Sequence, residues 1–152
     1  MYSLTALLRN PLFAAPAIGW CVAQLLKVLI DMAINGGFHR DRIFGSGGMP
    51  SSHSATVCAL CTAAAIEYGF GSPEFPITFF LAFIVMYDAM GVRRETGEQA
   101  KVLNELQRQL LSMDKVFTNP EELKEFVGHS PLQVLCGAIL GIIIAFIVCS
   151  VL

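Results

Sequence analysis

Charged side chains are scarce in this chain. Asp, Glu, Lys and Arg make up 14% of its 152 residues and the net charge is −2, against roughly one quarter charged residues in a typical soluble domain. A chain so poor in charge does not read as a solvated globule, and nothing in it points to a nucleic-acid partner. Internal repeats, low-complexity tracts and a disordered tail are also missing. The first apolar segment begins well after Met1, lacks a small-residue cleavage pattern and carries Gln24 and Lys27, so it is expected to stay in the mature protein rather than leave as a signal peptide. Metal chemistry through cysteine is not indicated either. Cys58 and Cys61 have C-x-x-C spacing, but no second pair or histidine cluster completes a zinc site, and a membrane helix disfavours a redox loop. These two, with Cys21, Cys136 and Cys149, read as small apolar packing residues.

What the chain has instead is apolar length. Hydrophobic residues are 55% of it and the mean hydropathy is +0.62. Leu12 to Ile34, Phe75 to Val92 and Leu132 to Leu152 are each apolar enough for a bilayer crossing of about 20 helical residues. A fourth stretch, Ser52 to Tyr68, is shorter and rich in Ala, Cys and Thr, the small residues that favour helix–helix contact inside a bundle. The expected fold is all-α: one membrane-embedded domain, residues 1–152, of about four spans.

Charge placement predicts its orientation. Lys27, Arg40, Arg42, Arg93, Arg94, Lys101, Arg108, Lys115 and Lys124 fall on one side of the alternating spans and Arg9 alone on the other, while the opposite connection carries Glu67 and Glu74. The positive-inside rule puts the basic side in the cytoplasm. The polar region from Arg93 to Ser130 is expected to contain an amphipathic helix from Glu98 to Leu111, since Val102, Leu103, Leu106 and Leu110 recur at helical spacing. That helix would lie on the bilayer surface or fold back beneath the bundle. Asn119-Pro120-Glu121-Glu122 signals a short second helix, ended by Gly128.

The densest chemistry lies in Gly47-Gly48-Met49-Pro50-Ser51-Ser52-His53-Ser54-Ala55. A glycine pair, two hydroxyls and an imidazole open an apolar helix whose first-turn N–H groups face outward, which is equipment for handling phosphate. Ser51 or Ser52 caps the helix, and His53 is placed to donate to a phosphoryl oxygen or protonate a leaving alkoxide. With alternating spans, Lys27, His53, Asp88 and His129 all belong to the same end of the bundle. Ionisable groups are expensive in membrane helices, so their convergence marks a functional site.

These residues resemble the type 2 phosphatidic acid phosphatases, relatives of the vanadium-dependent haloperoxidases. Pro50-Ser51-Ser52-His53 is similar to the family's P-S-G-H motif, and the run from His129 through Val134 to Gly137 is similar to the end of its H-x-x-x-D-V-x-x-G motif. Tyr87-Asp88-Ala89-Met90-Gly91-Val92-Arg93-Arg94, continued by Gly97, Gln99-Ala100 and Leu103-Asn104, resembles the divergent branch of that family. The resemblance implies hydrolysis of a phosphomonoester or pyrophosphate through a phosphohistidine. His129 would be the nucleophile and His53 the acid, with Lys27, Gly48, Ser51, Ser52, Arg93 and Arg94 around the phosphate. Three positions depart from the ordinary pattern: Ile34 and Leu123 stand where arginines are usual, and Gln133 where an aspartate orients the nucleophilic histidine. Arg93 and Arg94 can fill the arginine vacancy from another helix. Gln133 can accept from the imidazole, or serve only the capping box of Ser130-Pro131-Leu132-Gln133. Asp88 supplies the missing carboxylate or holds a Mg2+ ion.

The expected function is hydrolysis of phosphate from a membrane lipid or isoprenoid at the cytoplasmic face of a bacterial plasma membrane, with no cofactor required. The alternative is a non-catalytic membrane protein that binds a phosphorylated lipid head group; a channel or transporter subunit is a third reading. So small a bundle leaves helix surface for a homodimer to cover.

Overall fold

The computed structural model describes residues 4–37, 48–112, 123 and 128–152. Asn10 separates the first two helices, α1 (Leu4–Leu8) and α2 (Pro11–Asn35). Its Oδ1 accepts from the Leu12 N–H at 2.9 Å, and Pro11, with no N–H to satisfy, takes the first turn of α2. Ser51 caps α3 (Ser52–Tyr68), its Oγ accepting from Ser54 N–H. Then follow α4 (Glu74–Met90) and α5 (Val92–Ser112), and finally α6 (Pro131–Val151), opened by the Ser130–Gln133 capping box. Every element among the described residues is a helix.

Three helical runs, Pro11–Ile34, Glu74–Leu111 and Pro131–Val151, are long and apolar enough to cross a membrane. The protein is an all-α integral membrane bundle. With 17 residues α3 is at the short end of the spanning range, and its place explains its composition. It lies at the centre, against α2, α4 and α6, so it meets its neighbours on most sides and leaves lipid contact to them. Phe79, Phe80, Phe83 and Ile84 on α4 and Ile139, Ile143 and Phe146 on α6 are exposed. Such an apolar coat suits hydrocarbon.

Close approach sets the core. Gly137, Gly141 and Ala145 recur every four residues along one face of α6, and a Cβ at either glycine would collide with a backbone carbonyl of α3, that of Ser51 or of Ala55. Van der Waals contact between backbones holds helices together where lipid supplies no hydrophobic drive. On the other side of α3, Gly19 sits against Ala55 and Ala59, and Ala14, Ala15, Ala59, Ala63, Ile144, Ala145 and Val148 form the buried cluster.

The sequence reading needs one adjustment of boundaries. It carried the third span to Val92 and began the amphipathic helix at Glu98, but α4 ends at Met90 and α5 starts at Val92 with Gly91 alone between them. One residue out of helical conformation, Gly91 at φ −96° and ψ −88°, redirects the axis, and hydrophobic periodicity averaged over many residues does not register so short a break. Gly97, Ala100 and Asn104 are the buried positions of α5, while Val102, Leu103 and Leu106 are exposed. The apolar stripe is therefore not the face that packs on protein, as expected of a helix on a bilayer surface. The expected short helix at Asn119, and Arg40, Arg42, Lys115 and Lys124, lie outside the described residues.

Candidate active site

Four chain segments meet at one end of the bundle: the last third of α2, the start of α3, the end of α4 and the start of α6. Two backbone hydrogen bonds tie three of them. Ser51 N–H donates to the Gln133 carbonyl and His129 N–H to the Ala89 carbonyl, each at 3.0 Å. Gly48 joins α2 to the group. Its φ of +91° is left-handed, and a Cβ there would come within 3.1 Å of Lys27 Cγ, so glycine both permits the turn and leaves room for the lysine stem. Lys27, 3% exposed, thus lies against the loop that opens α3.

Ser51 and Ser52 divide the work left open between them. Ser51 is fully buried: its N–H goes to Gln133, its Oγ accepts from Ser54 and its carbonyl from Ala55 N–H. Ser51 builds the turn. Ser52 and His53 stand in the first turn of α3, whose N-terminus carries the partial positive charge of unsatisfied N–H groups.

The two histidines are neighbours. Their ring centroids are 5.7 Å apart with planes at 65°, and His129 is 2% exposed. Nδ1 of His129 is 3.2 Å from Gln133 Oε1. The same Oε1 accepts from Ser130 N–H at 3.1 Å, which marks it as the amide oxygen. An oxygen that only accepts requires the proton on Nδ1, leaving the lone pair of His129 on Nε2. Gln133 therefore has both of the roles suggested for it: it closes the capping box, and it sets the tautomer of His129.

Asp88 is half-buried near the end of α4, next to the Ala89 that holds His129. Arg94 is exposed in the first turn of α5. Arg93 occupies that turn too, and its side chain lies outside the described residues. Among the described residues no three His, Cys, Asp or Glu side chains form a group able to hold a metal.

Residues 8–144 match the Divergent PAP2 family, PAP2 being the type 2 phosphatidic acid phosphatases. The chain belongs to this family. It is also 39% identical, over 134 residues covering 82% of this chain and 85% of the other, to the uncharacterized membrane protein YuiD of Bacillus subtilis (strain 168). No solved structure matches. The chain is thus a phosphatase-related membrane protein, and at one end of its bundle it carries a buried His129 beside a half-buried His53.

Two residues of the run that resembles the divergent branch have structural roles that residue type alone did not assign. Ala89 contributes only its carbonyl, which leaves no trace in residue type. Asn104, 3% exposed, binds the Leu123 peptide at both ends: Nδ2 donates to its carbonyl and Oδ1 accepts from its N–H, each at 2.9 Å. Asn104 shares the buried face of α5 with Gly97 and Ala100, and a buried amide requires partners.

Proposed function

We propose that the protein hydrolyses a phosphomonoester or pyrophosphate on a membrane lipid or isoprenoid through a phosphohistidine. The carrying observation is the His53–His129 pair, with Nδ1 of His129 3.2 Å from the Gln133 oxygen. Nε2 of His129 attacks phosphorus as the bond to the leaving oxygen breaks, and protonated His53 gives that oxygen its proton. Water then attacks the phosphohistidine, passing a proton to His53; the N–P bond breaks, inorganic phosphate leaves and both histidines are restored. The Gln133 oxygen accepts from Nδ1–H throughout and so holds the ring, supplying a dipole where an aspartate would supply charge.

Phosphoryl transfer depends mostly on positioning and on positive charge around the equatorial oxygens. Lys27, Ser52, the Gly48 N–H and the N-terminus of α3 supply it, joined by Arg93 and Arg94 from α5. Asp88 supports the site from α4, and Mg2+ dependence of the rate would give it a metal-binding role. The site faces the cytoplasm by the distribution of basic residues, in a bacterial plasma membrane.

The test is release of inorganic phosphate, with and without Mg2+, from lipid and isoprenoid phosphates by purified protein, with acid-labile phosphoenzyme trapped on rapid quenching. Saturable binding of the same lipids without turnover would establish the head-group-binding alternative instead. Orientation is read by labelling single cysteines placed at Gly71 and Asn119 with an impermeant thiol reagent on intact cells. The cytoplasmic assignment requires label at Gly71 and none at Asn119.

A further inference from the structure

The three helices whose ends carry His53, Ala89 and His129 do not stay together along their length. α3 packs closely on both α4 and α6, but α4 and α6 touch each other only sparsely. A cleft opens between them with α3 as its floor: a cavity of about 180 Å³ lined by Cys58, Cys61 and Thr62 of α3, Phe79, Ala82, Phe83 and Met86 of α4, and Ile142 of α6. Its walls are almost wholly apolar. Small side chains at Cys61, Thr62 and Ala82 leave the volume, while Phe79 and Phe83 are half exposed at its edge.

Its position relates it to the histidines. Cys58 is five residues beyond His53 on α3, about 7.5 Å along the axis, and the stretch from Met86 to Phe79 adds roughly 10 Å at 1.5 Å per residue. Cys58 and Met86 are its lining residues nearest in sequence to His53 and Ala89, so the cleft runs from the histidine end along α3 and α4 toward the middle of the membrane. A close contact between Cys58 Sγ and Met86 Sδ, 3.7 Å, crosses it near the top.

We propose that this cleft holds the hydrocarbon tail of the phosphorylated substrate, so that Cys58, Thr62, Ala82 and Met86 select chain length. The inference rests on the histidine pair being the phosphate site. Its commitment to a tail follows from continuity: the same three helices present the phosphate groups above and an apolar slot below, and the slot is open along one side to lipid. Thioether and thiol side chains adapt to a flexible chain.

Two experiments test it. In the first, kcat/KM is measured for a series of monoalkyl phosphates, alongside an aryl phosphate without a tail. Each methylene buried in the cleft is expected to raise kcat/KM by up to about fourfold until the cavity is full. Thr62→Phe and Ala82→Leu should remove about tenfold or more of the long-chain advantage, equivalent to two buried methylenes, with aryl phosphate turnover kept within about twofold. A wild-type series that is flat in chain length overturns the proposal.

The second needs no turnover and no variant. An alkylphosphonate carrying a diazirine midway along its chain is photolysed with wild-type protein, and the adducts are mapped. The expected result is adducts on the Cys58–Thr62 and Phe79–Met86 segments, suppressed by plain alkylphosphonate and not by the alcohol of equal length, which separates substrate tail from bulk lipid. Adducts spread over outward positions such as Leu25 and Leu29, or competed equally by the alcohol, overturn the proposal. Cleft adducts in a protein that releases no phosphate would sustain the tail site while removing the hydrolase reading, so the two fail separately.

Discussion

The two ends of the bundle satisfy their polar groups in different ways. At the far end Ser72 Oγ donates to the Gly69 carbonyl, Thr78 Oγ1 to those of Glu74 and Phe75, and Ser150 Oγ to that of Ile147, all three or four residues back along the chain. At the histidine end local caps at Ser51 and Ser130 are joined by bonds that cross between chain segments, Ser51 N–H to the Gln133 carbonyl and His129 N–H to the Ala89 carbonyl. Local bonds survive whatever the helices do relative to one another. Bonds between helices form only in one arrangement, so they preorganise that end, as a site requires. The far end is packed through rings instead, Phe70 on Phe75 and Phe75 on Phe79 at 4.9 and 5.9 Å between centroids.

If that contrast is functional, substitutions at the two ends should diverge, most of all at the nucleophile. His129→Ala should lower phosphate release by about four orders of magnitude and abolish phosphoenzyme, while Ser72→Ala at the far end stays within about twofold. Unchanged turnover in the histidine variant would remove the nucleophile assignment. His53→Ala is expected to slow alkyl phosphates by roughly 10²–10⁴-fold and aryl phosphates, whose leaving oxygen needs no proton, far less. Equal losses on both substrates would show that His53 is not the acid.

The same contrast applies to packing. Gly137→Ala drives a methyl group into the Ser51 carbonyl beneath the site and should destabilise the bundle by about 1–3 kcal/mol. Gly71→Ala, with nothing within 4 Å of the added carbon, should stay within about 0.5 kcal/mol. Thermal unfolding of the two variants in one detergent compares them directly, and equal melting temperatures would break the distinction. Asn104→Ala strips two hydrogen bonds from the Leu123 peptide and should cost about 1–3 kcal/mol, seen as faster amide exchange at Leu123. Unaltered exchange there would reduce the clamp to a surface contact. The smallest effect is expected at Gln133→Ala, where loss of the capping box costs about 1 kcal/mol of stability. A further fall in rate per folded molecule would measure its hold on the His129 ring.

Much of the fold was legible because its causes are local. Ser51 and Ser130-Pro131 mark the starts of α3 and α6 by cap chemistry within three residues, and hydropathy marks the spans because a bilayer imposes a fixed length on any helix that crosses it. Asn10-Pro11 belongs to the same class of signal and was passed over because the apolar run begins only beyond it. Gly91 was missed for the opposite reason: one residue separates two helices, and each looks continuous with the other at the resolution of a periodicity window. At the site, alternation of span direction was enough to bring Lys27, His53, Asp88 and His129 to one end, since each position along a span has only two ends available to it.

By itself, then, the sequence determined an all-α membrane bundle, the starts of its helices and the end at which its ionisable groups gather, because caps, periodicity and bilayer thickness act within a few residues or one helix length. Tertiary structure decided that α3 is the central helix, with carbonyls of Ser51 and Ala55 facing the glycines of α6. It also decided that Ser51 is spent on the turn while Ser52 and His53 begin the helix, that Gln133 both caps α6 and sets the proton on His129, that Asn104 grips Leu123, and that α4 and α6 part to leave a cleft. Each of these depends on which atoms of distant segments come within hydrogen-bonding or van der Waals range, and that is fixed only when all the helices pack at once.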